Sequence, residues 1–167
     1  MIYSAYNGAM QTTASPVKVT TSAAIKTLLQ IKPLVPCRII EWGISLDGSA
    51  AATPGVCELI QTDVAATVTA YGTNDLTRMD GEARFFGDPT TNFISVGTAA
   101  SGFTASVEGT TTNVQNLDMP QLIAPTNQFV KQFPLGREPY VEANKFCRIR
   151  VNFAAAINAF CYVMIAF

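Results

Sequence analysis

The side chains of this sequence that could carry out chemistry are carboxylates, thiols and one serine–lysine pair, because histidine is absent from its 167 residues. Without histidine, a chain lacks the usual general base near neutral pH and the commonest metal ligand. Catalytic arrangements of the Ser-His-Asp or Cys-His type are therefore excluded. The sequence also contains no Walker A loop, no GxGxxG fingerprint and no EF-hand pattern. We predict no catalytic residue, no metal site and no cofactor.

Ser15 and Lys18 have the SxxK spacing of serine–lysine acylases, in which one helical turn brings the lysine beside the nucleophile. Pro16 and the β-branched residues that follow it disfavour such a turn. A motif without its structural context is weak evidence for catalysis. We therefore interpret this spacing as incidental.

Four carboxylates are expected near strand ends, where a pair could form through space: Glu41, Asp47, Glu58 and Asp63. A suitable pair would permit glycoside hydrolysis, which needs two carboxyl groups at a defined separation. Carboxylates on a β-sandwich are mostly solvated, however, and we expect that environment for these four.

The four cysteines, Cys37, Cys57, Cys147 and Cys161, are widely spaced and form no CxxC pair. That spacing favours buried small hydrophobic residues over a zinc or redox site. The first ten residues lack the basic region and apolar run of a signal peptide, so we expect synthesis in a reducing cytoplasm. The longest apolar run, residues 159–167, is far shorter than the roughly 20 residues of a membrane helix.

Charged residues are scarce: they make up 14% of the chain and leave a net charge of −1, against about 25% charged residues in typical soluble domains. The low net charge argues against nucleic acid or an anionic membrane as partner. Few charges on a small domain indicate that protein partners cover part of its surface. The alternative is a surface of uncharged Thr, Ser, Asn and Gln.

The elements that must position any site are β-strands. In residues 37–48, alternation places one set of side chains on an inward face, with Trp42 as its largest member and a turn at Asp47-Gly48. That predicted inward face consists of Arg38, Ile40, Trp42, Ile44 and Leu46.

The C-terminal segment contains two further strands. In residues 145–153, Cys147, Ile149, Val151 and Phe153 should face the core, while Arg148 and Arg150 point outward. Residues 159–167 are apolar on both faces, which predicts a central strand or one whose outer face is covered by another subunit.

Eight to ten strands and no amphipathic helix predict an all-β fold, an antiparallel β-sandwich for which the jelly roll is the most economical arrangement. Residues 17–167 should form this single domain, preceded by an extended N-terminal arm at 1–16. The 71–104 segment, rich in glycine and charge, should be a long loop. Two strands should meet at Asp63, and short strands are expected at 103–108, 119–123 and 128–133.

Three places are candidate partner contacts, and each has a simpler alternative. The aromatic residues of the arm could anchor it on a neighbour, although termini are often disordered. The long loop could be an interaction tip or simply solvated. A basic stripe on the penultimate strand could meet an acidic partner or lie in solvent. The residues are Tyr3 and Tyr6 in the arm, Arg78, Arg84, Phe85 and Phe86 in the loop, and Lys145, Arg148 and Arg150 in the stripe.

Two blocks, residues 39–62 and 132–167, resemble small β-structured virion proteins of tailed bacteriophages, most closely the head decoration or cement proteins. The middle of the chain, residues 71–118, lies outside the resemblance, and no functional residue is carried over from it. The resemblance implies a protein on the capsid surface of the virion that binds the major capsid protein, often as a homotrimer at three-fold positions. It also implies that binding stabilises the mature shell.

Two other functions fit a β-rich chain of this size. A head- or tail-fibre module would use the 71–104 loop to bind a host receptor. A hydrolase or lyase on a jelly-roll frame would need a convergent carboxylate pair in a deep pocket.

Overall fold

Alternating apolar and polar residues form β-strands along most of the chain, as the prediction required. The computed structural model describes residues 1–10, 13, 18–21, 23–47, 54–80, 92–123 and 127–167. The first sheet contains β1 (Ile2–Tyr6), β2 (Val19–Thr20), β4 (Cys37–Asp47), β7 (Leu76–Arg78), β11 (Gln128–Gln132), β12 (Tyr140–Val141) and β14 (Asn158–Ala166). The second contains β3 (Lys26–Ile31), β5 (Pro54–Thr62), β6 (Thr67–Ala70), β8 (Gly102–Val107), β9 (Val114–Asp118), β10 (Gln121–Ile123) and β13 (Phe146–Asn152).

The two sheets are antiparallel, and their inner faces enclose one core. The strand order is β11-β4-β14-β1-β7 in the first sheet, with β12 also on β4 and β2 on β14. It is β10-β5-β13-β3-β8-β6 in the second, with β9 also on β5. The prediction of an all-β antiparallel sandwich is confirmed, and β14 is a central strand as expected. The jelly-roll connectivity stays a prediction.

Trp42 is the largest fully buried side chain, in agreement with its predicted place in the core. Its ring packs against Phe129 with centroids 5.2 Å apart. Its indole N–H donates to the Asp118 carboxylate at 3.0 Å, so the polar end of the side chain is satisfied at the rim while the ring fills the interior.

Strand β4 changes its inward face part-way along because a β-bulge interrupts its pairing with β14. The register shifts beside Ile40, which has no opposite residue on β14. One extra residue in a strand reverses the alternation of its faces. The prediction that Arg38 and Ile40 share the inward face of Trp42 is therefore wrong, since Arg38 is exposed and Ile40 half-buried. The buried side chains of β4 are Cys37, Ile39, Trp42, Ile44 and Leu46.

The first residues of the chain belong to the first sheet, whereas an extended arm before the domain was predicted for residues 1–16. Residues Ile2–Tyr6 form β1, which pairs with β14 on one side and β7 on the other. The terminal amino group donates to the Phe167 carbonyl at 3.0 Å, which ties the two chain ends together. An apolar strand gains more from burial and pairing than from remaining extended in water. Of the rest of the predicted arm, residues 11–12 and 14–16 lie outside the described residues.

The predicted 71–104 loop contains β7 and the start of β8, and its residues 81–91 lie outside the described part of the chain. The break at Asp63 between β5 and β6 is as predicted. The short strand β9 was not predicted, because the sequence VQNLD is too polar to show a buried period.

Gly102 offers a test of how closely the second sheet packs. A Cβ at this buried position would overlap the Thr69 carbonyl oxygen, which is backbone and cannot move aside. We expect Gly102→Ala to lower the free energy of unfolding by about 1–3 kcal/mol, as overpacked cores do. The matched control is Gly72→Ala, whose Cβ would meet nothing closer than 3.4 Å and should change stability by less than about 0.5 kcal/mol. Equal denaturation midpoints for the two variants would contradict the packing described.

The four cysteines are free and buried, as predicted from their spacing. Burial raises the pKa of Cys37 to about 12, and burial together with the charge of Glu58 raises that of Cys57 to about 12. Thiolate, not thiol, is the reactive form. We expect no labelling of the native protein by a thiol reagent at pH 7.5 and four labels per chain in denaturant, measured by mass spectrometry. Rapid labelling of the folded chain would contradict this burial.

Candidate interaction surface

The outer face of the first sheet carries a set of aromatic and aliphatic side chains on β1 and β14 and, across β4, on β11 and β12. In β14, the inward residues Ala159, Cys161, Val163 and Ile165 are buried, so their apolar neighbours point away from the core. The registers of β1, β4, β11 and β12 place further side chains on the same side. We call these residues the aromatic face: Tyr6, Val130, Tyr140, Phe160, Tyr162 and Met164.

One register row crosses the whole aromatic face. Tyr6 lies opposite Tyr162 on β14, Tyr162 lies opposite Gly43 on β4, and Gly43 lies opposite Val130 on β11. The ring of Tyr6 contacts those of Phe160 and Tyr162, with centroid distances of 5.6 and 6.0 Å. The rings thus support one another across neighbouring strands.

Glycine at position 43 lets the Tyr162 ring lie flat on the sheet. A Cβ there would come within 2.5 Å of the ring atom Cε1. The Tyr162 hydroxyl donates to the Glu41 carboxylate at 2.5 Å. Burial, followed by this hydrogen bond, raises the pKa of Tyr162 well above its ordinary value. The tyrosine is therefore neutral at physiological pH, and it engages the nearest carboxylate on the face.

The edge of the aromatic face is the part most open to solvent. Val130 is 48% exposed and Tyr140 is 51% exposed. Between their rows, the chain makes a short excursion whose Leu135 is 97% exposed. Tyrosine, phenylalanine, methionine and arginine are enriched in protein interfaces, whereas lysine and aspartate are depleted. Arg38 on β4 completes the row of Tyr140, and the face has the composition typical of an interface.

The outer face of the second sheet has a different character, because loops and ion pairs close it. Arg148 is fully buried there, against the prediction that it points into solvent. Its guanidinium binds the Glu108 carboxylate and donates to the Thr27 hydroxyl at 2.6 Å. Burial lowers the pKa of Arg148, while the charge of Glu108 opposes that shift. A buried cation needs such partners, so this arginine is structural.

The other predicted contact residues fall in separate places. Tyr6 belongs to the aromatic face, but Tyr3 is buried in the core at 1% exposure. Arg78 lies beside Asp80 at 3.4 Å, and Arg150 forms an ion pair with Glu58 on the neighbouring strand. Lys145 lines a polar cleft. Arg84, Phe85 and Phe86 lie outside the described residues.

The members of the aromatic face other than Tyr6 were not predicted as contacts. The signal for three of them was present in the C-terminal run, whose residues are apolar on both faces of a strand. Val130 and Tyr140 gave no such signal, because each lies in a pair of apolar residues within a polar segment. Only the register of β11 and β12 on β4 brings them to the face.

A polar cleft of about 280 Å³ lies at one end of the second sheet. Asp63 is its organising group: the carboxylate accepts hydrogen bonds from the Thr112 hydroxyl and from the Asn113 backbone N–H, the latter at 3.1 Å. These hydrogen bonds lower the pKa of Asp63 well below its usual range. Glu142 and Lys145 line the same cleft.

None of the four carboxylates considered for hydrolysis is paired with another of the four. Glu41 binds the Tyr162 hydroxyl, Glu58 binds Arg150, and Asp63 accepts from Thr112 in the segment before β9. Asp47 forms an ion pair with Lys18. The geometry that a two-carboxylate mechanism requires is therefore not formed by these four.

Comparisons of the chain with protein-family models, curated proteins and solved structures give no match. The described residues contain no group of three or more acidic or cysteine side chains placed to hold a metal ion. Within the same ranges, no helix has the length and apolarity to cross a membrane.

The hydrogen bonds of Asp63 predict a dependence of stability on acid pH. Because folding lowers the pKa of Asp63, its contribution is complete above the unfolded value of about 3.9 and is lost as the pH falls further. We expect the Tm to fall less steeply between about pH 4 and pH 2.5 for Asp63→Asn than for the unaltered chain. Thr112→Val should remove part of the same dependence. Parallel Tm curves for all three proteins would contradict this role of Asp63.

Proposed function

We propose that this chain is a structural virion protein, a head decoration or cement protein that binds the outer surface of a phage shell and stabilises it. The observation that carries the proposal is the aromatic face, which offers a protein partner a set of tyrosine, phenylalanine and methionine side chains on a rigid sheet. The resemblance of residues 39–62 and 132–167 to phage virion proteins supplies the kind of partner, a major capsid protein. In this proposal the chain catalyses no reaction.

The distribution of charge supports a protein partner. The chain has a net charge of −1, and the ion pairs of its second sheet are satisfied internally. An aromatic face on a chain with so little net charge is suited to binding a protein surface of moderate polarity. A polyanion would need a basic patch in its place.

The size of the aromatic face suits repeated weak contacts. Strand spacing and row spacing give it a footprint of roughly 400 Å², about half of the 800 Å² that each partner contributes to a standard interface. One copy would therefore bind weakly. A homotrimer on a symmetric shell would engage three faces at once, and the avidity of linked contacts would compensate.

Stabilisation then follows from linkage. A protein that binds the assembled shell and not its free subunits favours assembly by RT ln(1 + [L]/Kd), about 2.7 kcal/mol per site at 100 times Kd. Summed over many equivalent sites, this free energy opposes shell rupture.

A receptor-binding fibre module is the second candidate, and the polar cleft at Asp63 is the observation that favours it. The cleft is lined by amide, hydroxyl, carboxylate and ammonium groups, which are suited to the hydroxyls of a glycan. Glycan binding that is lost in Gln61→Ala or Lys145→Ala, with no binding to shells, would support the fibre module over decoration.

The decoration proposal is tested by co-sedimentation with expanded, mature shells of the phage that encodes this chain. Val130→Asp places a charge in the central row of the aromatic face, at a residue 48% exposed, and should weaken binding at least about tenfold. Val107→Asp is the matched control, since Val107 is 61% exposed on the second sheet, and it should bind as the unaltered chain does.

Two results would contradict the proposal. The first is failure of the unaltered chain to sediment with the shells. The second is equal binding by the Val130→Asp and Val107→Asp variants, which would remove the aromatic face from the contact. Light scattering of the purified chain reports independently whether it is a homotrimer.

A further inference from the structure

The edge of the first sheet carries a projecting loop, residues 133–139, which we call the Leu135 loop. Strand β11 and strand β12 both pair with β4, and the loop leaves the sheet between them. At its base, the Phe133 N–H donates to the Ile40 carbonyl and the Ile39 N–H donates to the Pro139 carbonyl, each at 2.9 Å. Two adjacent residues of β4 thus clamp both ends of a seven-residue excursion.

Hydrogen bonds also hold the Leu135 loop from within. The Arg137 N–H donates to the Pro134 carbonyl at 2.9 Å, which closes a four-residue turn. Gly136 has φ +82°, the value that a type II turn needs at its third residue and that favours glycine. The Gly136 N–H donates at 2.9 Å to Glu138, whose side chain is only 6% exposed and lies 3.7 Å from Arg38. The turn is therefore preorganised.

At the tip of this held turn, Leu135 is 97% exposed. Burying a leucine stabilises an association, and a backbone already ordered in the free chain removes much of the entropic penalty of doing so. An open hollow of about 390 Å³ lies beside the tip, and its lining combines Ile40, Phe133 and Pro134 with the polar side chains of Gln132 and Glu138. The loop thus presents an apolar projection next to a hollow of mixed polarity.

The charged residues of the Leu135 loop indicate which group of the partner would lie beside it. Arg38 and Glu138 are paired with each other. The Arg137 guanidinium makes no ion pair with any residue in the described ranges. A carboxylate on the partner, beside the pocket that receives Leu135, would form an ion pair with Arg137. An arginine next to an apolar anchor is common at interface hot spots.

A side-chain anchor fits this edge better than strand addition does. Lys131 on β11 points inward and donates to Asp118 at 2.7 Å, with its Nζ 5.2 Å from the Phe133 ring centroid. Inward charges and interruptions of the ladder are devices that protect an edge strand from pairing with another chain. Lys131 and the Leu135 loop supply both devices.

We propose that the Leu135 loop is the anchor by which this chain docks on the shell protein: Leu135 enters a leucine-sized apolar recess, and Arg137 pairs with a carboxylate at its border. This inference rests on the proposed function and gives the contact its central residues. The loop lies between the rows of Gln132 and Tyr140, so the anchor and the aromatic face would meet the same partner.

The test measures Kd for immobilised mature shells with the full chain and four variants. Leu135→Ala and Arg137→Glu should each weaken binding about tenfold or more. Leu135→Met keeps an apolar side chain of similar volume and should stay within about twofold. Met119→Ala is the matched control, because it removes a similar volume from another exposed position, 54% exposed. Unchanged Tm values would show that all four variants are folded.

Each contrary outcome identifies what is wrong. If Leu135→Ala binds within twofold of the unaltered chain, the anchor is refuted while shell binding stands. If the unaltered chain does not bind shells, the decoration function and the anchor are refuted together. If the unaltered chain floats with phosphatidylglycerol vesicles and Leu135→Ala does not, the loop inserts into lipid. This result would also contradict the proposal that Leu135 enters a recess of the shell protein.

Discussion

Strand β14 pairs with β4 over nine residues and with β1 over five, and this central pairing is the constraint on which the rest of the first sheet depends. Every second residue of β14 is buried below 2% exposure. The alternate residues must then emerge on the outer face, since the period of a strand is two. The apolar outer residues of β14 therefore lie outside the core. The aromatic face to which they belong is a candidate for contact with another protein.

The outer faces of the two sheets differ in their charged groups: ion pairs lie on the second sheet and aromatic rings on the first. On the second sheet, Arg148 is buried with Glu108, and Arg150 pairs with Glu58. Fixed partners offset the free-energy cost of desolvating each cation there, so these charged groups interact with other residues of the same chain. On the first sheet, the carboxylate of Glu41 accepts the Tyr162 hydroxyl, and aromatic rings cover the strands around it. The scarcity of charge in the sequence thus has a structural counterpart in the first sheet, whose outer face is covered by rings and has few ionic groups.

The fold class, the central position of β14 and the burial of Trp42 could be predicted from alternation, and the burial of the cysteines from their wide spacing. Local features that depend on long-range pairing could not. The bulge at Ile40 reverses the inward face of β4, and it appears only when β14 is laid beside that strand. Arg148 has the alternation of a solvent-facing residue, but Glu108 and Thr27 come from distant parts of the chain to enclose it.

The amino-acid sequence by itself determined the all-β character, the scarcity of charge and the absence of histidine chemistry, because these follow from composition and from a period of two. Tertiary structure decided where the apolar surface lies. Val130 and Tyr140 each lie in a short apolar pair within a polar segment of the sequence, and pairing with β4 places both on the face of Tyr162 and Tyr6. Nothing in the sequence distinguishes Leu135 from other leucines, but hydrogen bonds from both ends of its loop to Ile39 and Ile40 of β4 fix the loop at the sheet edge with Leu135 exposed. The physical reason is the same in each case: register is a property of two strands, and neither strand carries it alone.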